Sequence, residues 1–235
     1  MFGYIYYYDP TLIFALIGLV LSLLASARVN TTFNKYSKVR SYSGITGAVA
    51  AERSLHSQGI YDVRIERVSG RLSDHYDPRN KVLRLSDATY DNSSVAAIGV
   101  AAHECGHAVQ HAKGYAPLAI RSALVPLANI GSNLGYILVI LGLFFTAKTG
   151  SVLITVGLIA FSCAVLFQLV TLPVEFNASS RALKLLESNG ILGSQEIKGS
   201  RSVLSAAAMT YVAALASSLL QLLRLILLAR RNDRD

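Results

Sequence analysis

Charge is scarce in this chain. Lys, Arg, Asp and Glu supply 15% of its 235 residues, against about 25% in an ordinary soluble domain, while 52% are hydrophobic. That deficit points to a membrane protein. Cysteine is nearly missing: Cys105 and Cys163 are too few for a disulfide framework, and Cys163 lies in an apolar stretch, so cysteine usage assigns no redox compartment. Carboxylates are absent from residue 108 to residue 174. No basic cluster with interleaved aromatics is present, which argues against a nucleic-acid partner despite a net charge of +8. In so apolar a chain, that excess fits loops facing anionic lipid. There is no internal repeat and no low-complexity tract.

What is present is a set of long uncharged runs. "PTLIFALIGLVLSLLASA" separates Asp9 from Arg28; 26 uncharged residues separate Arg121 from Lys148, 26 separate Lys148 from Glu175, and 22 separate Arg201 from Arg224. A helix crossing a bilayer needs about 20 apolar residues. The runs predict spans near 11–27, 124–145, 151–172 and 203–223. The first is not read as a signal peptide, because no Lys or Arg precedes it and no small-residue cleavage site follows. Tyr4, Tyr6, Tyr7 and Tyr8 read as an interfacial aromatic cluster. With four crossings, segments 28–121 and 173–202 share one side and hold 17 Lys and Arg residues. The positive-inside rule places that side in the cytoplasm. The arginines of the tail, among them Arg224, Arg230 and Arg231, run against this assignment, and the Ala- and Ser-rich start of the fourth run, "SVLSAAAMTYVAALASSL", leaves a partly buried or re-entrant helix as the alternative to a full span.

The extramembrane part, 28–121, mixes periods. "GITGAVAAERSLHSQG" has helical spacing, with Ile45, Val49 and Leu55 on one side and Gly59 as a stop. "DVRIERVSGRLS" and "NKVLRLS" alternate like short strands, joined through the turn-rich "DHYDPRN". "SSVAAIGVAAHECGHAVQHAKG" predicts a helix over 94–113, capped by Ser93 or Ser94 and ended by Gly114. The fold class expected is mainly α: a multi-pass membrane protein with a small α+β cytoplasmic part that carries this helix, forming a single unit over 1–235.

Within that helix, His103 and His107 stand four residues apart, so both rings face one side, one turn apart. Two neutral imidazoles so placed can hold one zinc ion. Glu104 is rotated by about 100° from His103, given 3.6 residues per turn, and reaches a water in front of the metal rather than the ligand position. This is the H-E-x-x-H arrangement of metallopeptidases, here "HECGH". Gly106 allows a close backbone approach. His111 lies about 12 Å along the axis from His103 and cannot join the same ion on a continuous helix. Gln110 and Lys113 occupy the places where the longer H-E-x-x-H-x-x-G-x-x-H pattern needs Gly and His. His111 therefore reads as a surface or supporting residue, and His56 as solvated.

A catalytic zinc takes three protein ligands. The first carboxylate downstream is Glu175, in "LVTLPVEFNASSRALKLLESNG". A hairpin of two spans returns the chain to the face it left, so Glu175 emerges on the side of His103 and His107. A lone carboxylate at a lipid boundary is costly. Either it ligates the metal, or it pairs with Arg181 or Lys184. Asn177, Ser179 and Arg181 lie within two turns and can orient ligands.

The segments "DVRIERVSGRLSDHYDPRNKVLRLS", "GVAAHECGHAVQHAKGYAPLAIRSALVP" and "LPVEFNASSRAL" resemble the YugP-like neutral zinc metallopeptidases of bacterial membranes and, more distantly, the HtpX and CAAX-prenyl-protease type. The resemblance covers most of residues 40–215. It implies a gluzincin-like enzyme: Zn2+ on His103, His107 and Glu175, with Glu104 as base. In the distant relatives an Asp follows the ligand Glu by four positions; Ser179 stands there in this chain. The resemblance also implies that a strand beside the active-site helix holds extended substrate, and "VRIERV" is the segment expected to do so.

The reading is thus a cell-membrane zinc endopeptidase acting on protein or peptide substrates near the bilayer. An oxyanion donor is sought among His75, Tyr76, Arg181 and Tyr211. The alternative is a non-enzymatic membrane protein with a structural or regulatory metal.

Overall fold

The computed structural model describes residues 9–145 and 147–232. The tyrosines at positions 4 to 8 lie outside them. Six helices and three strands follow in the order α1 (Leu12–Tyr36), α2 (Gly47–His56), β1 (Arg64–Val68), β2 (His75–Asp77), β3 (Val82–Ser86), α3 (Val95–Ala112), α4 (Ala116–Gly142), α5 (Ala147–Ser188) and α6 (Ser194–Asn232). The protein is mostly helical, with a small mixed sheet. Among the described residues, four helices (α1, α4, α5 and α6) are long and apolar enough to cross a membrane. The chain divides into two compact units. One holds α1 as far as Leu24, Ala123–Leu169 and α6 from Val212; the other holds Ala25–Ser122 and Val170–Tyr211.

In the first unit the helices approach through glycine. The space a side chain would need at Gly131 is filled by the Ala160 carbonyl, and at Gly135 by the backbone around Gly157 and Phe161. Small residues are what let apolar helices pack closely where no hydrophobic drive separates protein from lipid. Val139, Phe161 and Leu225 form a buried cluster in this unit. Arg224, 11% exposed, pairs with Asp9 at 3.1 Å, so one of the tail arginines is neutralised from within.

The second unit is built on α3. Ser94 opens it, its hydroxyl accepting from the Ala97 amide at 3.2 Å. Gly114, at φ +61°, ends it. Thr46 and Gly59 bracket α2 in the same way. The alanine-rich face of α3 lies against α2 and β3, where Leu55, Leu83, Leu85, Ala101, Cys105 and Ala108 are buried together. Truncating a leucine in such a core costs about 2–5 kcal/mol. Burial pushes the Cys105 thiol pKa up, with the Glu104 charge adding to the effect, so this cysteine is a packing residue and not a nucleophile.

The sheet order is β1-β3-β2, with β1 parallel and β2 antiparallel to β3. The strand β2 falls inside "DHYDPRN", which the sequence reads as a turn. Only three residues long, it is held by the Asp77 carboxylate, which accepts from the amides of Arg79 and Asn80 and so turns the chain back into β3. The detour through β2 is also why β1 and β3 run parallel.

Candidate metal centre

Two helices of the second unit meet at Gly106. A side chain there would strike the Ala178 carbonyl of α5. That contact sets the turn of α5 holding Glu175 against the turn of α3 holding His103 and His107. The His103 Nε2 lies 3.2 Å from Glu175 Oε2, and the His107 Nε2 lies 3.6 Å from the same oxygen. One donor atom from each residue falls within 4.8 Å of the others. Glu175 is 2% exposed, and Arg121 reaches its other oxygen at 3.2 Å.

The outer nitrogens of both rings are engaged. Ser179 Oγ lies 3.1 Å from His103 Nδ1. Gln110, fully buried, lies with its Oε1 3.0 Å from His107 Nδ1. The orientation of that amide is fixed from outside: its Nε2 donates to the Val174 carbonyl at 2.8 Å and to Asn177 Oδ1 at 3.0 Å, and Arg181 Nε donates to the same Asn177 oxygen at 2.7 Å. With its nitrogen so committed, Gln110 presents an acceptor to His107. The Nδ1 must then carry the proton, and Nε2 offers a bare lone pair toward Glu175.

A lone pair aimed at a carboxylate repels it unless a cation lies between. Burial works against protonation of His107, but its hydrogen bond to Glu175 and the charges of Glu104 and Glu175 outweigh this and raise its pKa. Two imidazoles and one carboxylate, each steadied by an outer hydrogen bond, are the donor set of a zinc site. The residues fit the metal.

Glu104 is 8% exposed and belongs to the same cavity of about 210 Å3 as His103, Glu175, Ser179 and Tyr211. Its Oε2 accepts from the Tyr76 amide of β2 at 3.1 Å. The remaining sequence-derived candidates divide. Tyr211 lines the cavity. The Tyr76 hydroxyl is turned to His111 Nδ1, 2.9 Å away. His75 is exposed, with its ring on the Ser73 carbonyl, outside the cavity lining. Arg181 holds Asn177 and stacks near Tyr115. The expected substrate strand, "VRIERV", is β1, and it lies at the edge of the sheet away from β2; the strand that touches Glu104 is β2. The crossover between β1 and β3 exchanges the two edges.

Gln110 and Arg121 were not singled out from sequence. Gln110 stands three residues after His107, on the same side of α3, which was a usable signal; Arg121 served only to mark the end of an uncharged run.

The family model described as "Putative neutral zinc metallopeptidase" matches residues 11–230. The chain belongs to that family. As a member of this family it has zinc as its cofactor, and the His103, His107 and Glu175 group is a place able to hold it. A relative described as "Putative membrane protease YugP", from Bacillus subtilis (strain 168), is 47% identical over 218 residues, covering 93% of this chain and 95% of the relative. No solved structure matches.

If Gln110 fixes the tautomer of His107, its replacement by Met keeps the volume and removes the acceptor. Zinc affinity of Gln110→Met, measured by chelator competition, is expected to fall about 10–100-fold. An affinity equal to that of the unsubstituted protein would show that the amide does not orient the ring.

Proposed function

We propose that this protein is a multi-pass membrane zinc endopeptidase with its active site near the cytoplasmic face, His103, His107 and Glu175 holding the metal and Glu104 acting as base. The observation that carries the reading is the pair of imidazole Nε2 atoms, one turn apart, converging on a single buried carboxylate oxygen with Glu104 in the same cavity. Zinc, when bound, supplies Lewis acidity for the peptide carbonyl and lowers the pKa of water. Glu104 takes the proton of the attacking water and delivers it to the leaving amine. The Tyr76 amide steadies the Glu104 carboxylate until then. Tyr211, the one oxyanion candidate whose side chain lines the cavity, donates to the developing oxyanion. The free edge of β2 lies beside Glu104 and takes the extended substrate by strand addition.

The membrane assignment rests on four long apolar helices and on the name of the Bacillus relative. The pairing of Arg224 with Asp9 supports the proposed four crossings, because it brings the start of α1 and the far part of α6 to one side. It also removes part of the charge that opposed the cytoplasmic assignment.

The test is metal dependence with topology. Detergent-purified protein is expected to cleave casein, to lose cleavage on chelation, and to regain it with zinc. A cysteine placed at Asn80, in a protein lacking Cys163, is expected to react with an impermeant reagent only after cells are opened. Cleavage that survives removal of all metal, or labelling of position 80 from outside, would overturn the respective half.

A further inference from the structure

Beside the catalytic cavity lies a second, larger concavity of about 660 Å3. The two share Ser179, Leu204 and Ala208 as wall, so one continues past the other across α5 and α6. Its lining is unlike that of the cavity. Three cations, Arg28, Lys184 and Arg201, stand around it with one carboxylate, Glu187. Among the described residues none of these four makes an ion pair or a side-chain hydrogen bond, whereas Arg67, Lys81, Arg84, Arg121 and Arg224 are all paired. Phe176 and Met209, 49% and 41% exposed, add apolar surface to the same groove.

We propose that this groove binds an acidic segment of the protein substrate, to one side of the bond that is cut. The proposal rests on the peptidase reading for the word substrate; the binding it describes does not require turnover. Three unpaired cations against one carboxylate leave a net positive field over a surface that a peptide leaving the cavity past Ser179 would meet. Carboxylates on that peptide complement the field, and the side chains between them find Phe176 and Met209. Each exposed pair contributes little and is screened by salt, but three act on one segment. Selectivity for acidic flanks is therefore expected to be moderate and salt-sensitive.

Binding is measured on Glu104→Gln protein, which is not expected to turn over, with two fluorescent peptides that share one central sequence and differ in an Asp/Glu-rich or Ser/Asn-rich flank. At about 0.05 M salt the acidic peptide is expected to bind roughly tenfold more tightly, and at about 0.5 M the preference is expected to vanish. In the same background, Arg28→Gln, Lys184→Gln and Arg201→Gln together are expected to abolish the preference at low salt. Neutralising Lys38, Arg53 and Arg79 instead, three exposed cations of the same unit, is expected to leave it, which excludes net charge as the cause. Zinc content reports that each variant is folded. Equal affinity for both peptides, or an unchanged preference in the groove variant, overturns the proposal. So does enrichment of phosphatidylglycerol over phosphatidylcholine on the purified protein that depends on the three cations while the acidic peptide does not bind, since the groove would then be a lipid site. Cleavage by the unsubstituted enzyme without acidic preference sinks the groove and leaves the peptidase standing. Acidic preference in binding without cleavage of any peptide does the reverse.

Discussion

Glu104→Gln is expected to abolish proteolysis while leaving the metal in place. Removal of a general base lowers rate by roughly a hundred- to ten-thousand-fold, and here the same carboxylate serves twice, first taking the proton and then returning it. The substitution is nearly isosteric. The amide oxygen of Gln can still accept from Tyr76, so the contact between α3 and β2 survives. Glu104 is also not one of the three groups whose donor atoms converge, so zinc content by elemental analysis should match that of the unsubstituted protein. The combination separates an enzyme from a membrane protein that merely stores or senses a metal. Casein cleavage equal in both proteins would show that Glu104 is not the base. Loss of both cleavage and zinc would show that it belongs to the metal shell.

Much of this was legible because the relevant signals are local. Two histidines four apart on a helix must share a face, whatever the tertiary structure, and the stop at Gly114 and cap at Ser94 are set within a few residues of the helix ends. The uncharged runs likewise announce the four apolar helices. What the sequence did not show are the contacts made across distance. The helix α5 continues from Ala147 to Ser188 through Pro173, well past residue 172, where the expected span ends. In so long a helix a proline is tolerated where neighbours satisfy the freed carbonyl. The strand β2 was missed because three residues carry no period of their own; its place depends on Glu104 and β3. The exchange of sheet edges followed from that. Ser179, where distant relatives have Asp, still reaches His103: a hydroxyl gives a neutral partner where a carboxylate would give a charged one, and only the fold shows that the distance is kept.

Glu175→Ala is expected to remove the metal. Loss of an outer hydrogen-bond partner weakens zinc sites about 10–100-fold; loss of a ligand should exceed that, so the purified variant should carry little or no zinc. The competing account makes Glu175 the structural partner of a cation. Sequence offered Arg181 or Lys184 for that part, and the structure supplies Arg121 instead, on Glu175 Oε1, with Oε2 turned to the two histidines. The carboxylate thus has one oxygen for each role, and the roles can be tested apart. Arg121→Met removes the ion pair and leaves Oε2 facing both rings. If the carboxylate is a ligand, this variant retains zinc, and zinc raises its thermal midpoint, because the metal supplies the positive charge a buried carboxylate requires. Glu175→Gln keeps the size of the side chain and a hydrogen-bonding oxygen for Arg121 but gives up the negative charge, and it is expected to resemble Glu175→Ala in zinc content. Were the ion pair the whole function of Glu175, Arg121→Met and Glu175→Gln would lose stability together and neither would change its zinc. That outcome would leave the two histidines without a third ligand from α5, and the peptidase mechanism would lose the group that holds its metal.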